Sequence, residues 1–371
     1  MQRDILLIND RLDAGGVETI LQNLSAYLAA RGDRLTIWAY YGDRETLARK
    51  YPAGVSYRRL PFWDGASRRF GPKWLFQRAC RVLFEGFLLR LKRWDAVAAF
   101  KEGPSMRLAA KLRAKKKLAW IHADYSQFHW SACNFRSDAD ERECMARFSR
   151  VVCVSEAVRR SVADTVGDPG NLCTLYSPIN APAILKAAAD HPADCVHPAG
   201  KPLLVSVGRL AEVKRYDMLI GICAELEREL DFELWIVGGG ELEAELREKL
   251  RASGARCVKL LGARENPYPY IACADWLVSS SRSESYGLTI QEALLLGTPV
   301  AAASCPAVAE TLDRRFGVLS EPDRGSLSAA LREILSHPEL GVKCRENIRA
   351  FYDRDSLWEK RLAAVAALFD G

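Results

Sequence analysis

The chain has 371 residues, 49% of them hydrophobic and 27% charged, with a formal net charge of +6. That length exceeds one ordinary core and predicts about two domains, while the charge is too mild to argue for nucleic acid and no apolar run reaches the roughly 18 residues needed to span a bilayer. The eleven cysteines lack a Cys-x2-Cys spacing and fall singly in apolar segments such as Val152-Cys153-Val154, which excludes a zinc or disulfide framework and points to buried, reduced thiols of a cytoplasmic protein.

From the start, Met1-Gln-Arg-Asp-Ile-Leu-Leu-Ile-Asn9 is too short in its apolar part for a secretory signal and reads as a first buried strand. Short apolar strands then alternate with amphipathic helices, the pattern of parallel α/β layers, with strands expected at 5–8, 35–39, 96–100, 118–121, 151–154 and 172–175. Gly15-Gly16 stands between the first strand and the helical run from Val17 to Ala30. Such glycines either make a tight strand-to-helix turn or let the backbone approach a bound group at a helix N-terminus. A nicotinamide-cofactor reading lacks the full Gly-x-Gly-x-x-Gly fingerprint, and Trp38-Ala39-Tyr40 stands where an acid is expected after strand two.

The segment from Arg68 to Trp94 interleaves basic residues with aromatics against one acid, Glu85. It reads either as an interfacial helix attracted to anionic lipid or as a core-packed helix with a solvated outer face. His122 ends the strand Leu118-Ala-Trp-Ile121 and precedes the polar run Ala123-Asp124-Tyr125-Ser126. A lone histidine there is either structural or a ligand contact, and Asp124 is a weaker acceptor-side contact. Residues 178–202 hold five prolines and little periodicity, and read as the linker between domains 1–177 and 203–355.

The second half restarts with strands at 203–207, 233–237, 258–261, 276–278 and 300–303. Arg209 and Lys214 follow the Gly-ended strand Leu203-Leu-Val-Ser-Val-Gly208; the planar fork of Arg and the compact charge of Lys suit the two phosphates of a nucleoside diphosphate. Gly238-Gly239-Gly240-Glu241 closes another strand and opens a helix. Arg264, before Glu265-Asn-Pro-Tyr-Pro-Tyr270, lies in an exposed turn or stacks on a base. Glu284-Ser-Tyr-Gly-Leu-Thr-Ile-Gln-Glu292 sets two carboxylates at a loop-to-helix junction, and the helix stops at Gly297-Thr298-Pro299. The amides of Tyr286, Gly287 and Leu288 are helix N-terminal donors, so a phosphate suits the amides and sugar hydroxyls suit the carboxylates.

Glu-x7-Glu after an apolar strand, Gly208-Arg209-Leu-Ala-Glu-Val-Lys214 before it, Gly297-Thr298-Pro299-Val300 after it and Gly15-Gly16-Val17-Glu18 near the start occur in one order. Together they resemble the retaining nucleotide-sugar glycosyltransferases of family four, of the bacterial surface-polysaccharide type, along nearly the whole chain. The resemblance implies the α/β GT-B fold, two Rossmann-like domains with parallel sheets facing across a cleft, and a C-terminal helix, about 356–371, packing back on the first domain. It implies that Arg209 and Lys214 clamp the diphosphate, that Glu284 holds sugar hydroxyls and Glu292 the ribose, and that His122 contacts the transferred sugar. Gly15 and Gly16 would face the cleft, Gly238 and Gly239 would make room near the nucleotide, and Arg264 would lie at the base.

The resemblance further implies metal-independent catalysis with a nucleotide sugar as co-substrate, and a saccharide or polyprenyl-linked saccharide as acceptor. The run Asn266-Pro-Tyr-Pro-Tyr-Ile271 is similar to that of enzymes using UDP-sugars, although GDP-mannose is an alternative donor. Ser285-Tyr286 departs from the family's usual Gly-Phe or Pro-Phe and leaves the donor sugar open. Other classes fit less well. Glycosidase carboxylates sit about 5 to 9.5 Å apart, whereas eight helical residues span about 12 Å. A sugar-binding module without turnover would not need the Arg209 and Lys214 pair, though a pseudoenzyme could retain it.

Overall fold

The computed structural model describes residues 2–12, 15–42, 45, 49–60 and 92–370. They form two compact units, Met1–Pro178 with Glu359–Gly371, and Ile179–Trp358.

The first unit is built on a seven-stranded sheet with order β3-β2-β1-β4-β5-β6-β7. Its strands are β1 (Asp4–Asn9), β2 (Arg34–Ala39), β3 (Ser56–Arg59), β4 (Arg93–Ala99), β5 (Arg113–Ile121), β6 (Arg150–Cys153) and β7 (Leu172–Thr174). All pair in parallel. Both faces of the central strands are covered, so Ile5, Leu6, Leu7 and Ile8 in β1 are all fully buried and the strand reads as a continuous apolar run. The chain leaves β1 toward β2 on one side and returns to β4 on the other, which opens a crevice at the carboxyl ends of β1 and β4.

The helix Gly16–Ala30 starts at Gly15, whose φ of 143° only glycine adopts readily. The last helix, Arg361–Ala367, packs beside it in this unit. Leu362, Val365, Ala366 and Phe369 are buried in this unit, whereas Leu357, expected on the same face, belongs to the second unit. Arg3 and Arg31 fix the end of the chain through Asp370.

The second unit repeats the design with order β10-β9-β8-β11-β12-β13. Its strands are β8 (Leu203–Val207), β9 (Glu233–Val237), β10 (Val258–Gly262), β11 (Trp276–Ser279), β12 (Val300–Ala303) and β13 (Gly317–Ser320). These pairs too are parallel, so the expectation of two Rossmann-like parallel sheets holds. The crevice here lies between β8 and β11, whose following loops carry Arg209, Lys214 and Glu284.

Three sequence readings are revised. The strands β3 and β13 are not among those expected: β3 is an exposed edge strand without an apolar run, and β13, Gly-Val-Leu-Ser, has only two apolar side chains. Of the expected linker 178–202, residues 179–202 belong to the second unit. They hold the helix Ala181–Ala188, where Asn180 caps the Ala183 amide, Pro182 occupies the first turn and Ile184 is buried. Proline is well tolerated at a helix start, so its frequency there misled. The segment proposed for lipid lies outside the described residues from Arg68 to Leu91. At its described end Lys92 and Arg93 are exposed, whereas the aromatic Trp94 belongs to β4, is buried, and packs edge-on against Trp38 at 6.1 Å.

Among the described residues, ten cysteines are free thiols and no helix is long and apolar enough to cross a membrane.

Candidate functional site

In the second unit the loop after β8 makes a short 3-10 turn, Glu212–Lys214, and then reverses at Arg215. Arg215 is a non-glycine residue at φ 51°, a left-handed conformation that costs about 1 to 2 kcal/mol. Its guanidinium donates to the carbonyls of Ser280 and Pro322, which holds it there. Ser280 Oγ donates to the Lys214 carbonyl at 2.6 Å and the Arg282 amide to the Val213 carbonyl at 2.8 Å, so the loops after β8 and β11 are stitched together.

That stitching brings Lys214 Nζ to 2.6 Å from Glu284 Oε1, the oxygen that also accepts from Ser281 Oγ at 2.7 Å. Both side chains remain partly exposed. Gly287, at φ 74°, is the N-terminal cap of the helix Leu288–Leu296, whose first turn has no side-chain cap. Lys214, Glu284, Ser281, Gly287 and Thr289 line one recess together with Ser206 and Tyr216. Arg209 is exposed at the start of the same loop, and among the described residues its guanidinium has no partner. Tyr286 is buried and turns into the core.

Glu292 sits one helical turn further in. Burial pushes its carboxyl up to about 7, a rise partly offset by the Tyr268 hydroxyl, which donates to it. The carboxyl therefore changes charge near neutral pH.

Gly238, Gly239 and Gly240 serve close packing. A Cβ on Gly238 would lie 1.9 Å from the Gly208 carbonyl oxygen, and one on Gly240 would lie 2.5 Å from that of Leu210. The Gly238 amide donates to Gly262 and the Gly239 carbonyl accepts from Leu210. The Gly238 amide is therefore not spare for a phosphate. Arg264 is not free in a turn: it pairs with Asp194 at 2.6 Å, and its Nε donates to the Tyr270 hydroxyl at 3.0 Å.

The remaining expected residues lie in the first unit. Gly15 and Gly16 open the helix Gly16–Ala30, and a Cβ on Gly15 would meet Glu18 Oε2 at 2.4 Å. His122, just past β5, is held neutral: burial, with the Lys101 charge adding to it, lowers its pKa to about 3, while the Phe100 carbonyl accepts from the ring. Among the described residues its Nε2 is buried without a partner. A neutral imidazole donating through one nitrogen leaves the other as an acceptor, which a hydroxyl could satisfy. Its amide donates to Glu102 Oε2 at 3.0 Å. Asp124 is spent on a local turn, accepting from the Ser126 amide and hydroxyl.

Sequence reading missed Ser281 and Tyr268, which orient Glu284 and Glu292. Ser281 stood in a run of serines and Tyr268 in a segment assigned to the base; only the folded loops show which hydroxyl reaches which carboxylate. Among the described residues, no cluster of three or more His, Cys, Asp or Glu could hold a metal.

Two family models match the chain, one described as Glycosyltransferase Family 4 over residues 14–183 and one as Glycosyl transferases group 1 over residues 201–337. A GDP-mannose-dependent alpha-(1-6)-phosphatidylinositol dimannoside mannosyltransferase of Mycobacterium tuberculosis is 30% identical over 138 residues, 37% of this chain and 36% of that protein. The lipopolysaccharide core biosynthesis glycosyltransferase LpsE of Rhizobium meliloti is 34% identical over 121 residues, 32% of each chain. The chain thus spans about a third of the length of these curated relatives. The solved structure of Anabaena Alr3699/HepE in complex with UDP and glucose shares the fold, with a TM-score of 0.77 at 18% identity over 99% of both chains.

Proposed function

The chain belongs to the family-four glycosyltransferases of GT-B fold, and we propose that it transfers a glycosyl group, with retention, from a nucleoside diphosphate sugar to a saccharide or lipid-linked saccharide in surface-polysaccharide synthesis. The observation that carries this reading is the contact of Lys214 with Glu284 beside the N-terminus of the helix Leu288–Leu296. A cation and helix amides that can receive phosphate stand against a carboxylate that can receive sugar hydroxyls.

As the bond from the anomeric carbon to the diphosphate oxygen breaks, the electron pair leaves with the diphosphate. Arg209, Lys214 and the first-turn amides stabilise that charge where it develops. Glu284 orients the sugar, Glu292 takes the ribose hydroxyls and His122 Nε2 accepts from a sugar hydroxyl. The acceptor oxygen bonds to the anomeric carbon on the departing face, and its proton passes to the leaving phosphate oxygen. In this scheme the side chains and helix terminus carry the charge that a bound metal carries in other enzymes.

UDP-sugars are the favoured donors, supported by the UDP named for the Anabaena protein. GDP-mannose remains the second reading, supported by the name of the mycobacterial relative. We place the enzyme in the cytoplasm, with residues 68–91 as a peripheral contact to anionic membrane. Incubation with a panel of UDP- and GDP-sugars in EDTA, following release of the nucleotide, tests the reading. Turnover of a UDP-sugar is expected. Absence of turnover with every donor leaves a sugar-nucleotide-binding pseudoenzyme, and activity restored only by manganese or magnesium overturns the metal-free scheme.

A further inference from the structure

Among the described residues Arg215 is the one non-glycine residue at positive φ. It ends the turn Glu212–Lys214 and begins the helix Tyr216–Leu226, with no side-chain cap. Tyr216, Leu219, Ile220 and Cys223 bury one face of that helix, so its start cannot rotate without opening the core.

The left-handed residue decides where Lys214 points. In an uninterrupted helix, residues 214 and 216 would stand about 200° apart around the axis, and with Tyr216 buried Lys214 would face solvent. Instead the two side chains lie together over Gly208: a Cβ on that glycine would come 3.0 Å from the Tyr216 hydroxyl and 3.4 Å from Lys214 Cε. Lys214 is thereby aimed at Glu284 and the recess that both residues line.

Arginine does not favour this backbone, and its side chain supplies the compensation. Nε donates to the Ser280 carbonyl just past β11 at 3.0 Å, and Nη1 and Nη2 both donate to the Pro322 carbonyl just past β13, at 2.9 and 2.8 Å. Ser280 returns a bond through Oγ to the Lys214 carbonyl. One guanidinium therefore ties the β8 loop to the loops after β11 and β13.

We infer that Arg215 is a positioning residue: its guanidinium, anchored on the Ser280 and Pro322 carbonyls, holds the left-handed turn that aims Lys214 into the recess. The inference rests on the glycosyltransferase reading and adds a residue that acts through Lys214 rather than on the ligand. Glycine adopts the left-handed conformation unaided, so it removes the strain together with the anchor, whereas alanine keeps the strain and loses the anchor.

The test uses the full chain carrying Arg215→Ala, Arg215→Gly, Lys214→Ala, or Lys214→Ala together with Arg215→Ala. Calorimetric titration of UDP and of GDP gives affinities, and kcat and KM are measured with the donor that wild type turns over. Arg215→Ala is expected to weaken nucleotide binding about five- to thirtyfold, the bias of an ordinary residue against the left-handed region, and to lower kcat with it. Arg215→Gly should stay within about threefold of wild type in both. On the Lys214→Ala background Arg215→Ala should change affinity by less than about twofold, because the group it positions is gone. Arg215→Met, which keeps the stem and removes the donors, takes the place of Arg215→Ala if that variant does not fold.

Equal losses in Arg215→Gly and Arg215→Ala would show that the guanidinium itself is needed at the ligand, and an undiminished effect of Arg215→Ala on the Lys214→Ala background would show that it acts elsewhere. Either result overturns the inference. So does wild-type affinity in Arg215→Ala with a loss in Lys214→Ala, which removes Arg215 and leaves the glycosyltransferase reading standing. Wild type that binds neither UDP nor GDP defeats that reading, and the inference falls with it.

Discussion

Lys214 Nζ and Glu284 Oε1 lie 2.6 Å apart across two loops seventy residues apart in sequence. In the proposed scheme, then, the cation assigned to the diphosphate is held by the carboxylate assigned to the sugar. A diphosphate arriving at this recess must share or replace that contact.

Glu284→Gln therefore separates the two roles. The amide cannot hold Lys214 as a carboxylate does, so nucleoside diphosphate affinity should be maintained or improved. Turnover should fall by about tenfold to a hundredfold, the value of a charge-assisted contact of roughly 1.5 to 3 kcal/mol. Steady-state kinetics with nucleotide titration checks this; normal turnover would make Glu284 a structural loop residue.

A second expectation concerns pH. The Glu292 carboxyl is raised to about 7 by burial, above its ordinary value of 4.5. The native state thus holds a proton that the unfolded chain has released, and this contribution to stability is full below about pH 4.5 and lost as pH rises through 7. The loss is at most about 3 kcal/mol. Glu292→Gln should flatten the decline in melting temperature between pH 5 and 8. Ribose hydroxyls donating to Glu292 favour its ionised form, so nucleotide binding at pH 6.5 should release protons. Calorimetry in buffers of different ionisation enthalpy measures this, and no proton release would remove Glu292 from the ribose site.

Much of this was legible in the sequence because the β8 and β11 loops follow apolar strands and carry charged residues at fixed offsets. Arg209, Lys214, Glu284 and Glu292 stand out as candidates that way. Hidden were the pairings across the sheet. No spacing tells that Ser281 and Lys214 share one oxygen of Glu284, or that Tyr268 reaches Glu292, because those contacts depend on how loops from different strands meet. Gly238 and Gly239 read as leaving room near a nucleotide, and no spacing shows that the missing side chains of Gly238 and Gly240 let neighbouring backbones touch. Proline-rich 178–202 looked open because a helix start and a loop share the same residues.

A stability prediction falls on the first unit, where Glu141 is fully buried. Its carboxylate accepts from the hydroxyls of Tyr125 and Ser131 at 2.8 and 2.9 Å and faces His129 Nε2 at 2.7 Å. Glu141→Ala strands these three partners and should cost roughly 2 to 5 kcal/mol. Glu141→Gln should cost less, since it keeps one acceptor oxygen. Chemical denaturation ranks the two variants; equal stability of Glu141→Ala and wild type would show that the network contributes nothing.

The proposed membrane contact is checked by sedimentation with liposomes. Each basic residue at an anionic surface adds about 1 kcal/mol at best, and the attraction decays over about 8 Å at physiological salt. Binding should require anionic lipid, fall with salt and weaken when Arg68, Arg69 and Lys73 become Ser. No sedimentation with anionic vesicles at low salt would leave these residues without a lipid role.

The claim on which the account depends is that the loop carrying Arg209 and Lys214 grips a nucleoside diphosphate. Calorimetric titration of UDP into wild type, Arg209→Ala and Lys214→Ala tests it most directly. The account predicts measurable binding to wild type and a loss of about tenfold or more in each variant, from a charge-assisted contact of roughly 1.5 to 3 kcal/mol. Unchanged affinity in both variants would contradict it.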